Sequence, residues 1–124
     1  MRKKDLKKEM EKAKIIAKIR VAEEIDKALY LQKLGLSKNQ ARIMAHLENT
    51  GDSTALEISG ATKVPYTKIY SVLDSLRYMG FVVADLERPM TFKAVPIKEI
   101  AQALVKRQEE NLTKLKEVAK NIEG

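Results

Sequence analysis

The chain contains no cysteine and no tryptophan, and its 124 residues include only five glycines and three prolines. Without cysteine it can form neither a disulfide framework nor a thiolate metal site or nucleophile. No apolar run approaches the roughly 20 residues that cross a membrane, and no apolar signal segment follows the charged N-terminus. Aromatic residues make up 5%, so the core must be mostly aliphatic. These absences predict a single cytoplasmic domain without membrane contact.

Groups that carry catalysis are equally scarce. His46 is the single histidine, and no carboxylates at metal-ligand spacing accompany it. The glycines form no phosphate-binding loop. We therefore predict no enzymatic activity, no metal and no cofactor, and we interpret His46 as a packing or surface residue.

Positive charge is plentiful and unevenly distributed. The formal net charge is +7 and the pI is about 9.6, which favours an acidic partner such as nucleic acid. Residues 1–20 hold nine lysines and arginines against three acids, while the rest of the chain is nearly balanced. This segment is either a solvated helix face or a basic arm that lies along phosphates, and both interpretations remain open.

Helical signals fill the first half of the chain. Residues 3–34 contain no glycine or proline and predict one long helix that Gly35 ends. Its apolar face follows a spacing of three and four and comprises Ile15, Ile19, Ala22, Ile25 or Asp26, and Leu29. A capping box of Ser37 and Gln40 predicts a second helix that ends near Gly51.

Two further helices follow. A capping box of Thr54 and Glu57 predicts a short third helix that Gly60 interrupts. Pro65 then takes the first position of a fourth helix over residues 65–79, where its missing N–H costs nothing. The predicted buried stripe of this helix comprises Ile69, Val72, Leu73 and Leu76, with Gly80 as its C-terminal cap.

After Gly80 the hydrophobic period changes from 3.6 to about 2. Residues 81–86 and 90–95 predict two strands around the turn 87–89, and Pro96 starts a last helix. The order predicts a mainly α fold with a small β-hairpin. It corresponds to a winged helix-turn-helix (35–96) flanked by a basic N-terminal helix (1–34) and a C-terminal dimerisation helix (97–124), all within one domain, 1–124.

The polar face of the fourth helix is the main candidate site. Hydroxyl, phenol and amine groups gather at its start, and no acid precedes Asp74. A helix start of this composition suits the major groove, where such donors reach base edges. The residues predicted to contact DNA here are Tyr66, Thr67, Lys68, Tyr70 and Ser71. A merely polar solvent face is the alternative.

The hairpin extends this site. Arg88 at its tip and Lys93 beside it suit a wing, over residues 81–95, that reaches the adjacent minor groove, although a plain structural hairpin is an alternative. Ser53 and Thr54 stand at the start of the third helix, where free N–H groups favour phosphate. We include both among the predicted DNA contacts.

The last helix carries a near-continuous heptad seam typical of a coiled coil. It comprises Ala101, Val105, Gln108, Leu112, Leu115, Ala119 and Ile122, and its polar member Gln108 suits a register-fixing role. We predict a homodimer whose interface uses Val105, Leu112, Leu115 and Ile122 together with Ile15 and Ile19. Packing of the seam on the chain's own N-terminal helix is the alternative.

An ordered set of short motifs resembles the DNA-binding domain of the TrmB-type regulators, a mostly archaeal family, over about residues 33–100. The set comprises Leu34-Gly35-Leu36-Ser37, Ala55-Leu56-Glu57-Ile58, Val64-Pro65 through Ile69-Tyr70, Leu73, Leu76, Gly80-Phe81-Val82, Arg88-Pro89 and Ala94-Val95-Pro96.

The resemblance implies a sequence-specific transcriptional regulator in which Tyr66, Thr67, Lys68 and Ser71 face DNA and Arg88 is the wing residue. Members often have arginine after the proline, where this chain has Tyr66, so base preference does not transfer. They often carry a C-terminal sugar-binding domain, for which 124 residues leave no room, so no small-molecule effector is assigned.

We therefore predict a nucleoid-associated dimer that binds double-stranded DNA and regulates transcription. Two alternatives are a winged-helix module that binds another protein and a nonspecific chromatin or architectural protein.

Overall fold

A computed structural model describes residues 2–123 of the chain. Met1 and Gly124, the outermost residues of the predicted domain 1–124, lie outside the described residues. The elements are α1 (Lys3–Lys33), α2 (Lys38–Thr50), α3 (Ala55–Thr62), α4 (Tyr66–Tyr78), β1 (Val82–Asp85), β2 (Thr91–Ala94) and α5 (Ile97–Glu123). This order confirms the predicted helical fold with one hairpin. Across the described chain, no helix has the length and apolar character that a membrane crossing requires.

Both predicted capping boxes are present. The Ser37 hydroxyl accepts a hydrogen bond from the Gln40 backbone N–H at 3.1 Å, and Gln40 Oε1 accepts from the Ser37 N–H at 2.9 Å. Thr54 and Glu57 repeat the exchange at the start of α3, at 3.2 and 3.0 Å. Each box satisfies backbone donors that the first turn of a helix otherwise leaves free.

The prediction that Gly60 interrupts the third helix is wrong. Helix α3 continues through Gly60 to Thr62, because one glycine inside a helix costs only about 1 kcal/mol relative to alanine. The helix ends instead at Lys63, whose φ of 61° is left-handed. Pro65, predicted as the first helical residue, is the N-cap of α4 with ψ of 136°.

Both strands of the hairpin are shorter than predicted, and a third backbone segment pairs with β2. Strand β1 begins at Val82, and Val82 pairs with Ala94 while Asp85 pairs with Thr91. On the other side of β2, the Ser53 N–H donates to the Phe92 carbonyl at 3.1 Å, and the Phe92 N–H donates to the Ser53 carbonyl at 2.8 Å. This bridge attaches the hairpin to the segment between α2 and α3.

The core lies between α2, α3, α4 and the hairpin, and the two long helices touch it only in part. The largest fully buried side chains are Phe92, Leu31, Ile43, Met44, Leu47, Ile58, Ile69, Leu73, Leu76, Ile100 and Val64. Among the side chains that the structure describes, α1 buries only Ala28 and Leu31, and α5 buries only Ile100 and Leu104. Every described side chain of α5 beyond Leu104 is exposed.

Helix α5 is tied to the α1–α2 turn by Gln108. Its side-chain Nε2 donates to the Leu34 carbonyl at 3.0 Å. The adjacent Gly35 has φ of 111°, and a Cβ there would lie 2.8 Å from the same Nε2. Gln108 therefore contacts its own chain, which differs from the predicted register-fixing role within a seam between two copies.

Candidate nucleic-acid interface

The turn before α4 fixes where that helix begins. Pro65 excludes Val64 from helical geometry, since the residue before proline is restricted to extended conformations. The Val64 side chain is 1% exposed, and its carbonyl accepts a hydrogen bond from the Ser59 hydroxyl at 2.6 Å. Lys63 supplies the left-handed residue that turns the chain from α3 into α4. The start of α4 is thus held by a buried side chain and a short hydrogen bond.

Helix α4 divides into a buried face and an open one. Ile69, Leu73 and Leu76 are fully buried, and Val72 is half-buried. The six exposed residues between Tyr66 and Asp74 are Tyr66, Thr67, Lys68, Tyr70, Ser71 and Asp74. Asp74, the acid in this set, lies 3.6 Å from Arg77 at the far end of the helix. The start of α4 therefore presents polar and cationic groups on one surface.

Two tyrosines form a pair on this surface. The rings of Tyr66 and Tyr70 meet edge to face, with centroids 5.8 Å apart and planes at 80°. Tyr66 is 50% exposed and Tyr70 is 41% exposed. The Tyr66 phenol beside it raises the pKa of Tyr70 above its ordinary value. The exposed Tyr70 phenol can donate or accept a hydrogen bond.

The serines of α4 differ in their surroundings. The exposed Ser71 hydroxyl donates to the Lys68 carbonyl at 2.9 Å within the same helix. The half-buried Ser75 hydroxyl donates to the Val72 carbonyl at 2.6 Å and accepts from Gln40 Nε2 at 3.1 Å. Gln40 thereby links α2 to α4 while it also closes the capping box. Sequence reasoning identified only the capping box, because no local pattern signals a partner on another helix.

The hairpin tip is polar and exposed. Arg88 and Lys93 are both open to solvent, and Lys93 stands opposite the exposed Val83. Phe92, the neighbour of Lys93 on β2, is 1% exposed and anchors the hairpin in the core. Asp85 Oδ1 accepts the Glu87 backbone N–H at 3.0 Å, so this carboxylate shapes the turn that carries Arg88.

Ser53 and Thr54, predicted to contact phosphate at the start of α3, are buried and half-buried. Ser53 is 4% exposed, and its hydroxyl donates to the Gly51 carbonyl at 3.3 Å. The half-buried Thr54 uses its hydroxyl and its N–H in the capping box with Glu57. The Glu57 carboxylate therefore accepts the Thr54 N–H, one of the backbone donors at the start of α3. No sequence signal distinguishes a buried strand-like serine from an exposed helix-start serine here.

His46 is 9% exposed and lies between α1 and α2. Its Nδ1 lies 3.7 Å from Glu24 Oε1, and its Nε2 lies 3.4 Å from the Thr50 hydroxyl. These contacts agree with the packing interpretation. In the part of the chain that the structure describes, no three potential metal ligands cluster.

The predicted dimer residues are all exposed in the single chain. Ile15 and Ile19 on α1 are 58% and 52% exposed, and Leu112 and Leu115 on α5 are 53% and 66% exposed. The others are Val105 and Ile122. The alternative, in which α1 covers the seam of α5, is not what residues 2–123 show, since both apolar faces remain open.

A family profile and a known relative both match this chain to the TrmB-type regulators. The profile of a family described as the sugar-specific transcriptional regulator TrmB matches residues 31–98, just over half of the chain. The HTH-type sugar sensing transcriptional regulator TrmBL1 of Pyrococcus furiosus is 40% identical over 52 residues, which cover 42% of this chain and 15% of that protein.

Two solved structures share the fold. TrmBL2, described as an archaeal chromatin protein, matches with a TM-score of 0.69 and 22% identity over 81% of this chain and 39% of that chain. A MarR family transcriptional regulator from Silicibacter pomeroyi matches with a TM-score of 0.52 and 14% identity, covering 82% of this chain and 75% of that chain. The chain spans less than half the length of both TrmBL1 and TrmBL2.

Proposed function

Because the chain belongs to the TrmB family of transcriptional regulators, we propose that it binds double-stranded DNA sequence-specifically and regulates transcription. One observation carries the proposal. The first two turns of α4 expose phenol, hydroxyl and amine groups, while Ile69, Leu73 and Leu76 on the opposite face are fully buried in the core. A helix held in this way can enter a major groove without reorganisation, and its groups are those that reach base edges.

We assign base and phosphate contacts to the exposed members of this surface. Thr67 and Lys68 reach base edges, because a hydroxyl gives or accepts a hydrogen bond and an amine reaches the guanine acceptors. Tyr66, Tyr70 and Ser71 contact phosphates or a thymine methyl. Arg88 and Lys93 on the hairpin reach the adjacent minor groove. Ser53 and Thr54 have no part in this assignment, because their side chains are committed within the fold.

The dimer is also a proposal, supported by the uncovered apolar faces of α1 and α5. A soluble protein rarely exposes long contiguous apolar faces unless another molecule covers them. Pairing through Leu112, Leu115 and Ile122 hides the end of α5, and Ile15 and Ile19 extend the interface on α1. Two recognition helices then match two half-sites about 34 Å apart on one side of the DNA.

A nonspecific architectural role is the second candidate, and the basic half of α1 favours it. Apart from the half-buried Glu24 and Lys27, the side chains described for residues 2–27 are exposed. Lysines that neutralise phosphates give affinity without sequence preference. Binding to chromosomal DNA in either manner places the protein at the nucleoid.

Selection of bound sequences from a random duplex pool tests the proposal. We expect enrichment of a palindromic or pseudo-palindromic motif whose half-sites are one turn apart. A flat sequence profile with retained binding supports the architectural role instead. Absence of any binding at low salt, where phosphate contacts are strongest, overturns both.

A further inference from the structure

A groove opens between α1, the first turns of α2 and the end of α3. It encloses about 390 Å³, within the range of about 300–1,000 Å³ typical of small-molecule sites. Its wall on α3 includes Lys63, the residue that turns the chain into α4. None of the residues assigned above to DNA or dimer contacts lines it, although Ile25 and Leu29 continue the apolar face of α1 that holds Ile15 and Ile19.

The floor of the groove is apolar and lies on α1. Ile25, Ala28 and Leu29 line it, and Ile25 and Leu29 are still 54% and 52% exposed. When a ligand covers exposed apolar area in a concave site, the burial of that area favours binding. The floor therefore suits the hydrocarbon part of a ligand.

The rim of the groove is cationic. Lys38, Arg42 and Lys63 surround the floor, and none of the three takes part in an ion pair within residues 2–123. The one acid that lines the groove is Glu24, and its carboxylate contacts His46 at 3.7 Å and Asn49 at 3.3 Å. Three uncompensated cations beside an apolar floor attract a group of negative charge.

We propose that this groove binds a small amphipathic carboxylate. Its hydrocarbon part covers Ile25 and Leu29, and its carboxylate faces Arg42 with Lys38 and Lys63. A guanidinium pairs with both oxygens of a carboxylate, which gives the site orientation as well as affinity. The ligand thereby touches both α1 and the turn that leads into α4.

The test uses the full chain without DNA, so its outcome is independent of the proposed function. The probe is 4-phenylbutyrate, titrated while backbone amide shifts are followed by NMR. We expect shifts confined to residues 24–32, 38–42 and 61–63, with a Kd of about 10 µM to 1 mM for a ligand of this size. The neutral 4-phenylbutyramide and inorganic phosphate should each bind about tenfold more weakly, because each lacks one half of the required chemistry.

Two substitutions and a control complete the test. Arg42→Gln and Leu29→Ala should each weaken binding about threefold to tenfold, consistent with the loss of one exposed contact. Lys33→Gln, an exposed cation on α1 outside the groove, should leave the Kd unchanged. Equal binding of phosphate, unaffected variants, or intermolecular contacts of the Ile25 and Leu29 methyl groups with a second copy would each overturn the proposal.

Discussion

Thr67 and Lys68 are neighbours on the exposed first turns of α4, and each belongs to a residue type that reads base edges. A good base contact contributes about 1–3 kcal/mol of discrimination. Thr67→Ala combined with Lys68→Ala should therefore reduce the preference for the selected site while nonspecific affinity largely remains. Competition binding with specific and scrambled duplexes measures the two separately.

The chain offers a matched control for this pair. Thr113 and Lys114 are the same two residue types, also adjacent and exposed, but on α5. Their double alanine variant removes the same charge and the same hydroxyl, and its sequence preference should equal that of the unmodified protein. If the α4 variant behaves like this control, Thr67 and Lys68 make no base contacts.

The titration of Glu57 makes the free energy of unfolding depend on pH. The hydrogen bond from the Thr54 backbone N–H lowers the pKa of Glu57 below its ordinary value. Folding therefore stabilises the carboxylate form. That contribution is present above the unfolded-state pKa and is lost as the pH falls through the lower folded-state pKa.

We expect Glu57→Gln to lose less stability than the unmodified protein between about pH 5 and pH 3, since an amide oxygen can still accept the Thr54 N–H but does not titrate. Urea denaturation across this range measures the difference. Glu110→Gln, an exposed position on α5, controls for the loss of one negative charge. Parallel curves for the Glu57 variant and the unmodified protein would contradict the assignment.

At the scale of elements, two glycines should respond oppositely to alanine. Gly60 lies inside α3, and a Cβ there would meet nothing within 4 Å. Gly60→Ala should raise the free energy of unfolding by about 0.5–1 kcal/mol. Gly35 has φ of 111°, and a Cβ there would lie 2.8 Å from Gln108 Nε2. Gly35→Ala should lower the free energy of unfolding by about 1–3 kcal/mol.

Guanidinium denaturation of the two variants checks these signs. Adding Gln108→Ala to Gly35→Ala removes the close contact but not the backbone strain, so recovery should be partial. A destabilising Gly60→Ala would mean that α3 is broken at Gly60, as the sequence alone had predicted.

The lysines at the start of α1 should contribute to the salt dependence of DNA binding. If Lys3, Lys4, Lys7 and Lys8 neutralise phosphates, replacing all four with glutamine should flatten the dependence of log Kd on log salt by about 0.9 per lost contact. The variant removes charge without shortening the helix. Four glutamines at Lys106, Lys114, Lys116 and Lys120 of α5 remove the same charge elsewhere. Equal slopes in both variants would mean that the basic half of α1 is only a solvated face.

Elements defined by local signals were predicted well, and contacts between distant residues were not. Both capping boxes were correct because Ser37 with Gln40 and Thr54 with Glu57 interact three residues apart. The exposed surface of α4 was located because its apolar spacing is local too. The bond from Gln108 to Leu34 joins residues 74 apart, and that from Gln40 to Ser75 joins residues 35 apart. No periodicity records such partners, and the burial of Ser53 against the hairpin escaped prediction for the same reason.

At the scale of the whole molecule, the proposed dimer makes the exposed seam of α5 the feature to test. Leu112→Glu with Leu115→Glu places two charges on the apolar face, so the proposed dimer should dissociate toward monomers. Light scattering at micromolar concentration measures the mass. Binding to a full palindrome should weaken far more than binding to a half-site, because linking two sites raises affinity by roughly 10²–10⁴.

Exposed leucines outside the seam provide the control. Leu56 and Leu86 are 70% and 71% exposed, and their double glutamate variant should keep the mass of the unmodified protein. A monomeric unmodified chain, or a seam variant that remains dimeric, would show that α5 does not join two copies.

Helix α1 also extends far beyond the core. It is 31 residues long, yet among its described side chains only Ala28 and Leu31 are buried. The 25 residues before Ala28, Lys3–Lys27, span about 38 Å at 1.5 Å per residue. A tilt of about 10° where Ala28 and Leu31 seat on the domain swings the far tip by about 7 Å, or roughly two base-pair steps. Because α1 is long, a small tilt at Ala28 and Leu31 would produce a much larger displacement at its start.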